Sequence, residues 1–260
     1  MQPTNIEILN QYIDPDGATP SYYRMLVDKR HIKYITIDAG IYEVDDLCFP
    51  PVLLEMLPPF PAGDWNCGRI SLTAVGSPKT AFFAETKREK LPEMGPLWKG
   101  KVVYPYLDFE MGERLKSNVV AKYARFGWEV GYYVAETQAY SWIEGHDIGP
   151  EFLGYLTEDD GRVMGFLIEH VEGRHAGIED LDACEAVVRR LHGLGIVHGD
   201  LNRYNFLISE EGGAVLIDFE TAKRSGDTEA MEGEVKGLRE KLLDESGNGG
   251  VVSDGYESDD

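Results

Sequence analysis

The sequence of 260 residues predicts an α+β fold. Its first hundred residues are rich in β-branched and aromatic runs separated by turn residues, which is the pattern of hairpins. Its later part adds three segments with apolar residues at helical spacing. Because 43% of the residues are hydrophobic and 11% are aromatic, the chain can bury a core of ordinary size.

Five strands are predicted before residue 110. Two pairs of runs flank turn residues and therefore indicate two hairpins, the first around Asp28-Lys29-Arg30 and the second around Gly76-Ser77-Pro78-Lys79. The fifth run contains Pro105, which cannot donate a ladder hydrogen bond and so favours the edge of a sheet. The predicted strands are Ser21–Val27, His31–Ile37, Gly68–Val75, Thr80–Glu85 and Val102–Phe109.

Two proline clusters, Phe49-Pro50-Pro51 and Leu57-Pro58-Pro59-Phe60-Pro61, interrupt this pattern. Proline fixes φ and lacks an N–H, so both clusters argue against a regular helix and favour extended backbone. Two interpretations stay open. The clusters are either a docking segment for an aromatic groove or a rigid connector that lies over the protein's own surface.

The later part of the chain predicts three helices and, between the first two, a pair of strands. Asp182 is the expected N-cap of the second helix, with Glu185 three residues later and Gly195 just beyond its end. The third helix is amphipathic, and its apolar face carries Met231, Val235, Leu238 and Leu242. The predicted helices are Trp128–Glu144, Asp182–Leu194 and Thr228–Asp244, and the strands are Glu151–Thr157 and Val163–Ile168.

The stretch Ile196–Ala222 carries the polar residues on which a reaction could depend. Its two short apolar runs predict a hairpin over the turn Ser209–Gly213. A hairpin brings its outer ends together, so Asp200 and Asn205 would lie near Asp218. Oxygen-bearing side chains at one end of a rigid hairpin can hold a hard cation such as magnesium together with substrate phosphates.

Two motifs in this stretch resemble those of the protein-kinase-like superfamily. The first, His198-Gly199-Asp200-Leu201-Asn202-Arg203-Tyr204-Asn205, is similar to the catalytic loop H-x-D-L-x-x-x-N, and the second, Asp218-Phe219-Glu220, is similar to the metal-binding D-F-G. Their separation also matches that of the superfamily. The His-Gly-Asp opening and the non-glycine after Asp-Phe resemble the aminoglycoside phosphotransferase branch. Longer segments, including LPPFPAGDW and VVAKYARFGWEV, resemble a group of fungal kinase-like proteins of unsettled activity.

This resemblance implies a two-lobed protein-kinase-like fold with a shortened C-lobe and an extra N-terminal β-rich segment. Only 28 residues separate Val171 from Asp200 and 42 follow Asp218, which leaves no room for the further C-lobe helices of protein kinases. The expected domains are an N-terminal β-rich extension (1–95), a kinase-like N-lobe (96–171), a minimal C-lobe (172–244) and an acidic disordered tail (245–260).

The resemblance also assigns catalytic roles, with ATP as the phosphoryl donor and Mg²⁺ as the metal. Lys122, in Val119-Val120-Ala121-Lys122, would contact the α- and β-phosphates. Glu136 on the following helix would pair with this lysine, and Glu129 is the alternative partner. Asp200 would accept the proton of the acceptor hydroxyl.

Further residues are implied for nucleotide and metal binding. The backbone of Glu169 and Val171, at the hinge between the lobes, would meet the adenine edge. Asn205 and Asp218 would bind the magnesium ions. Arg203 would neutralise the γ-phosphate, because the position at which protein kinases often carry lysine is Asn202 in this chain, and His198 would brace the loop.

These motifs favour an ATP- and Mg²⁺-dependent phosphotransferase that acts on a hydroxyl of a small molecule or of a substrate presented by a partner. The alternative is a nucleotide-binding pseudokinase or scaffold. The alternative is favoured by the short acceptor region and by the lack of a G-x-G-x-x-G motif between residues 95 and 122, where only Gly100 and Gly112 could cover phosphates. The acceptor is left open.

Charge and cysteine content narrow the class of protein further. The formal net charge of −21 argues against nonspecific binding to nucleic acid or to an anionic membrane. The three cysteines lie far apart without CxxC spacing, so they indicate neither a disulfide framework nor a zinc site. No apolar run approaches the length of a membrane span. We expect a cytoplasmic or nuclear protein whose ligands are ATP and an acceptor, with a protein partner as a further candidate.

Overall fold

The protein was analysed as a computed structural model that describes residues 5–73, 79–95, 98, 100–107, 119–159 and 161–246. The chain divides into two compact units. The first unit comprises Met1–Glu93, Arg125–Trp128 and Thr157–Arg162, and the second comprises Met94–Ala124, Glu129–Leu156 and Val163–Asp260. Two short segments that follow residue 120 therefore belong to the first unit.

The first unit contains a five-stranded sheet with the strands in sequence order. Neighbouring strands are antiparallel except for His31–Ile37 and Cys67–Leu72, which are parallel. The predicted hairpin around Asp28 and Lys29 is confirmed, and both turn residues adopt positive φ, which suits the twist of a tight hairpin. The strands are β1 (Ile6–Tyr12), β2 (Ser21–Val27), β3 (His31–Ile37), β4 (Cys67–Leu72) and β5 (Ala81–Lys87).

The prediction for the first proline cluster is wrong. Two short helices, α1 (Val44–Cys48) and α2 (Pro50–Met56), connect β3 to β4, and Pro50 and Pro51 begin the second of them. Proline is tolerated there because the first N–H groups of a helix have no intrahelical acceptor, and its fixed φ already suits a helix. The sequence prediction of extended backbone fails here because Pro50 and Pro51 begin a helix instead of interrupting one.

The second proline cluster stays non-helical and packs against its own unit. Phe60 is buried, and its ring lies 5.9 Å from that of Trp65 and 5.2 Å from that of Phe83. This favours the connector over the docking segment. The core of the first unit also includes Tyr23, Met25, Ile35, Ile37, Leu53 and Ile70.

A buried ionic cluster lies in the first unit. Arg24 Nε and Nη2 donate to Glu158 Oε2 over 3.1 and 2.8 Å, and neither side chain is exposed to solvent. The hydroxyl of Tyr34 and the guanidinium of Arg162 donate to the other oxygen of Glu158. Burial and the Glu158 carboxylate raise the pKa of Tyr34, so the phenol stays protonated and donates. This cluster joins strands β2 and β3 to the segment Thr157–Arg162.

Most of a four-stranded sheet and one helix belong to the second unit. In spatial order the strands of this sheet are Val102–Pro105, Phe152–Glu158, Arg162–Glu169 and Val119–Tyr123, so the strand that contains Pro105 lies at an edge, as predicted. Gly127–Glu129 forms a 3-10 turn that leads into the helix α3. The elements are β6 (Val102–Pro105), β7 (Val119–Tyr123), α3 (Val130–Ile143), β8 (Phe152–Glu158) and β9 (Arg162–Glu169).

The rest of the second unit contains two longer helices and short strands. The predicted hairpin of the central stretch is present as β12 and β13. The helix that contains Asp182 begins at Leu181, so Asp182 lies in its first turn and is not its cap, whereas Gly195 follows its end with φ +72°. The elements are β10 (Arg174–His175), α4 (Leu181–Gly193), β11 (Ile196–Val197), β12 (Phe206–Ile208), β13 (Ala214–Leu216), β14 (Lys223–Arg224) and α5 (Thr228–Leu243).

The last helix matches its predicted range closely. Asp227 caps α5 by accepting from the N–H groups of Glu229 and Ala230, and Leu238 and Leu242 on its apolar face are buried. Residues 247–260 of the predicted tail lie outside the described residues. No described helix has both the length and the apolar character to span a bilayer.

Candidate active site

The centre of the candidate site is an ion-paired cluster around Lys122. Strand β7 pairs with β9 and places Lys122 opposite Phe166, with its side chain partly buried. Lys122 Nζ donates to Glu136 Oε1 over 2.7 Å and to Asp218 Oδ1 over 2.8 Å. Glu129, the alternative partner, lies at the N-terminus of α3. The structure therefore brings Lys122, Glu136 and Asp218 to one point.

Burial sets the electrostatics of this cluster. Desolvation alone would lower the pKa of Lys122, but the carboxylates of Glu136 and Asp218 outweigh it and raise that pKa above its usual value. The lysine is therefore held as a cation. Glu136 is almost fully buried, and burial raises the pKa of its carboxyl against the opposing effect of the ammonium.

The loop that contains Asp200 is ordered by two asparagines. Asn205 Nδ2 donates to the Asp200 carbonyl over 2.8 Å and to its Oδ2 over 3.3 Å. Asn202 Nδ2 lies 3.4 Å from the same carboxylate oxygen, and its Oδ1 accepts from the Tyr204 N–H over 2.9 Å. Both asparagines are buried, whereas Asp200 is exposed. The arrangement leaves an oriented carboxylate open to solvent.

Phe219 anchors the residue next to it, Asp218. Its ring lies 5.2 Å from the His198 ring and 5.4 Å from the Tyr140 ring. A Cβ on Gly149 would approach the Phe219 ring to 2.8 Å, so only glycine leaves room for that ring. Asp218 itself has φ +65°, an uncommon conformation for a residue other than glycine, which must be maintained by this packing.

His198 occupies the bracing position that the sequence suggested. Its ring is fully buried, and its Nε2 lies 3.1 Å from the Ile217 carbonyl, which ties the loop 198–205 to the hairpin. Burial lowers the pKa of His198, so the ring is neutral near pH 7.

Glu234 is a positioning residue that sequence reasoning missed. Its Oε1 accepts from the Gly199 N–H over 2.7 Å, and its Oε2 accepts from the His198 N–H over 3.3 Å. The same carboxylate lies 2.7 Å from His192 Nε2 on α4. The sequence signal that could have indicated this role is that Glu234 precedes Val235, a residue of the apolar face of α5.

A cavity of about 490 Å³ opens beside this cluster within the second unit. Glu169 and Val171, which belong to the predicted hinge, line it, and Lys122, Asn205 and Asp218 line it as well. The Glu169 N–H donates to the Glu151 carbonyl over 2.9 Å, so this N–H is already engaged within the protein. The remaining lining residues are Val120, Pro150, Ile168, His170, Gly173, His175, Tyr204, Leu207 and Ile217.

Arg203, which was predicted to belong to the site, binds a partner outside the cluster around Lys122. Its Nη1 lies 3.4 Å from Glu245 Oε1, just after α5, and the residue does not line the cavity. The structure thus does not bring Arg203 together with Lys122 and Asp218.

The two predicted metal-binding residues have oxygens that could hold magnesium. Asn205 Nδ2 donates a hydrogen bond to Asp200, which leaves the side-chain oxygen of Asn205 available to a metal ion. Asp218 Oδ1 accepts a hydrogen bond from Lys122, which leaves the second carboxylate oxygen of Asp218 available to a metal ion. Magnesium is commonly held by one or two protein oxygens together with substrate phosphates, so the donor set fits. Among the described residues, no group of three or more His, Cys, Asp or Glu side chains could hold a metal ion without such phosphates.

Comparison with known proteins gives one family match. Residues 167–232, about a quarter of the chain, match the model of the RIO domain, an atypical kinase-like family. The matched segment contains Glu169, Val171, the loop 198–205 and Asp218, and it ends within α5. It supports the prediction of a kinase-like protein but not the aminoglycoside phosphotransferase branch specifically. No curated protein was found to match the chain.

Proposed function

We propose that the chain is an ATP- and Mg²⁺-dependent phosphotransferase that transfers the γ-phosphoryl group to a hydroxyl of a small molecule or of a substrate presented by a protein partner. The ion-paired cluster of Lys122, Glu136 and Asp218 is the observation that carries this proposal. Lys122 and Asp218 line the same cavity as Glu169 and Val171, so this cavity offers groups suited to the phosphates and groups suited to the base.

Each residue has a role that follows from its chemistry. Glu136 holds Lys122, whose ammonium contacts the α- and β-phosphates. Asn205 and Asp218 hold magnesium, which supplies neutralisation of the phosphate charge when bound. The backbone of Glu169 and Val171 receives the adenine edge. Arg203 would assist at the γ-phosphate only after leaving Glu245.

Asp200 takes the proton in the transfer step. The acceptor oxygen forms a bond to the γ-phosphorus, the bond from that phosphorus to the bridging oxygen of ADP breaks, and the hydroxyl proton passes to the Asp200 carboxylate. Its exposure and its contacts with two asparagine amides suit a carboxylate that must meet an incoming substrate.

The test is ATP turnover by the full chain with labelled ATP and magnesium, in the presence of cell extract or a panel of hydroxyl-bearing metabolites. Asp200→Asn should lower turnover by about 10²–10⁴-fold. Asp182→Asn, on the exposed side of α4, is the matched control and should leave it unchanged. Equal turnover by the wild type and Asp200→Asn would remove the assigned base.

One observation favours the alternative function, a nucleotide-binding pseudokinase or scaffold. Within the described residues, only the short strand β14 and helix α5 follow Asp218 as regular elements, which is little material for an acceptor pocket. Measurable ATP binding without any turnover would support this alternative.

A further inference from the structure

Three aromatic side chains of the first unit form a patch that solvent reaches. Tyr12 and Tyr22 are partners in the pairing of β1 with β2, so both project from the same face of the sheet. The Trp128 ring lies 5.8 Å from the Tyr12 ring and 5.0 Å from the Tyr22 ring, with interplanar angles of 73° and 71°. Tyr12 is 52% exposed and Trp128 is 53% exposed. Tyr12, Tyr22 and Trp128 are the aromatic patch.

Buried residues hold this patch in position. The Phe126 ring is buried and stacks on the Trp128 ring, with centroids 4.8 Å apart and planes at 9°. Two residues after Tyr22, on the same face of β2, Arg24 is bound by Glu158 in the buried ionic cluster. Tyrosine and tryptophan have only two χ angles, so they lose little conformational entropy when they bind a partner. The aromatic patch is therefore a preformed contact surface.

Each ring of the patch carries a hydrogen-bond donor without an acceptor. Within the part of the chain that the structure describes, the Tyr12 hydroxyl, the Tyr22 hydroxyl and the Trp128 indole N–H have no hydrogen-bond partner. An indole N–H can only donate, and a phenol can donate as well as accept. A partner that covers the patch should therefore present hydrogen-bond acceptors.

The turn that follows Tyr12 adds negative charge. Asp14 and Asp16 lie between β1 and β2. Asp14 accepts from the N–H groups of Asp16 and Thr19 over 3.1 and 2.9 Å, and these hydrogen bonds lower the pKa of its carboxyl. Among the described residues, no Lys or Arg is paired with either carboxylate. A cationic group of a partner would therefore meet negative charge that the protein itself does not compensate.

We propose that the aromatic patch is a docking site for a proline-rich segment of a protein partner, with a Lys or Arg of that segment facing Asp14 and Asp16. A proline-rich segment adopts the polyproline II conformation, which has no internal hydrogen bonds, and each proline lacks an N–H. Such a segment presents carbonyl acceptors to the three donors. Its rings pack against aromatic side chains, which is how aromatic-lined grooves bind proline-rich peptides.

Charge selects this partner over a nucleic acid. Single-stranded nucleic acids also stack on aromatic side chains, but they need a positively charged groove for their phosphates. The net charge of −21 and the carboxylates of Asp14 and Asp16 oppose such a ligand and attract a basic one. The docking site goes beyond the proposed phosphotransfer and does not depend on it.

The test measures binding of fluorescein-labelled peptides to the full chain by fluorescence anisotropy. The panel contains peptides with the P-x-x-P pattern and a Lys or Arg at the first or last position. Matched peptides replace either the prolines with alanine or the cation with glutamate. At least one basic proline-rich peptide should bind, and both replacements in that peptide should weaken binding by about tenfold or more.

Three variants test the residues of the docking site. Trp128→Ala should weaken the bound peptide by about tenfold or more, because it removes a central aromatic anchor. Tyr12→Phe keeps the ring and removes one donor, so it should weaken binding about three- to tenfold even if Trp128→Ala perturbs folding. Asp16→Asn should weaken the basic peptide and leave its glutamate version unchanged.

Phe49→Ala is the matched control, because Phe49 is an aromatic residue of the first unit that is 57% exposed away from the patch. The preceding residue, Cys48, accepts through its carbonyl from Gln11 Nε2, and the Gln11 side chain projects from the face of β1 opposite to Tyr12. Phe49→Ala should bind the peptide as tightly as the wild type. Loss of binding in this control equal to that in Trp128→Ala would overturn the assignment to the patch.

Other outcomes would also overturn the docking site. These are the absence of binding by every peptide of the panel, equal binding of the alanine versions, and unchanged affinity in Trp128→Ala and Tyr12→Phe. Binding of cellohexaose or oligo(dT), lost in Trp128→Ala, would assign the patch to that ligand if no peptide bound. A wild-type dimer that Trp128→Ala converts to a monomer in sedimentation would assign it to a second copy of the chain. Absent ATP turnover would overturn the proposed function alone.

Discussion

Replacing Glu158 with alanine should strongly destabilise the first unit. The side chains of Glu158 and Arg24 are both 0% exposed, and the change removes two hydrogen bonds from Arg24 as well as those from Tyr34 and Arg162. Deleting one partner of a buried ion pair costs about 3–5 kcal/mol, because the other charge stays buried. For a chain of this size, 1 kcal/mol lowers the unfolding midpoint by about 2–4 °C. The expected fall is therefore about 6–20 °C.

Differential scanning calorimetry of the full chain, with urea unfolding as a second measurement, would check this value. Asp64→Ala removes a carboxylate from the exposed pair with Arg88 and should cost less than about 1 kcal/mol. The double variant Arg24→Met with Glu158→Leu removes both charges and should be more stable than Glu158→Ala. A loss below about 1 kcal/mol in Glu158→Ala, or a double variant that is no more stable, would refute the reasoning.

Three further predictions concern the second unit. Lys122→Met should lower ATP turnover by at least about 100-fold and also lower the unfolding temperature, whereas Lys241→Met, exposed on α5, should change neither. Glu234→Gln should lower turnover about tenfold, because charge-assisted bonds to the N–H groups of the catalytic loop weaken; unchanged turnover would remove its positioning role. Histidine has a usual pKa of 6.5, and burial lowers the pKa of His198 in the folded protein. Below pH 6.5 this side chain therefore takes up a proton in the unfolded chain before it does so in the folded protein, and the free energy of unfolding should fall by up to about 1.4 kcal/mol per pH unit. Urea unfolding from pH 7 to pH 5 measures this slope, and His198→Gln should flatten it.

Local signals predicted the elements that depend on local interactions. The hairpin β2–β3 follows from alternation and its turn, and the edge position of β6 follows from Pro105. The first strand, Ile6–Tyr12, was not predicted, because its apolar alternation breaks at Leu9. Helix α2 was missed because proline at a helix start and proline in an extended segment give the same local signal.

Motif spacing predicted the site residues that are close together in the sequence, but not the contacts that distant segments make with them. Asp200, Asn205 and Asp218 lie within 19 residues, and the hairpin between them is local. Glu234 acts on Gly199 across 35 residues, through the packing of α5, and no short pattern encodes such a contact. Arg203 was assigned by position in a motif, but its side chain is bound by Glu245, which lies 42 residues away.

The double contact of Lys122 bears on how an inactive form of this protein should be made. The ammonium separates two carboxylates that approach it to 2.7 and 2.8 Å from a helix and from a hairpin. Removing it would leave two anions facing each other, so a lysine variant would combine lost phosphate contact with a disturbed Asp218. The Asp200 side chain is exposed, and its carboxylate accepts hydrogen bonds from the amides of Asn202 and Asn205. The side-chain oxygen of an asparagine at position 200 could accept the same hydrogen bonds. In cells, Asp200→Asn is therefore the variant that would separate loss of chemistry from loss of structure.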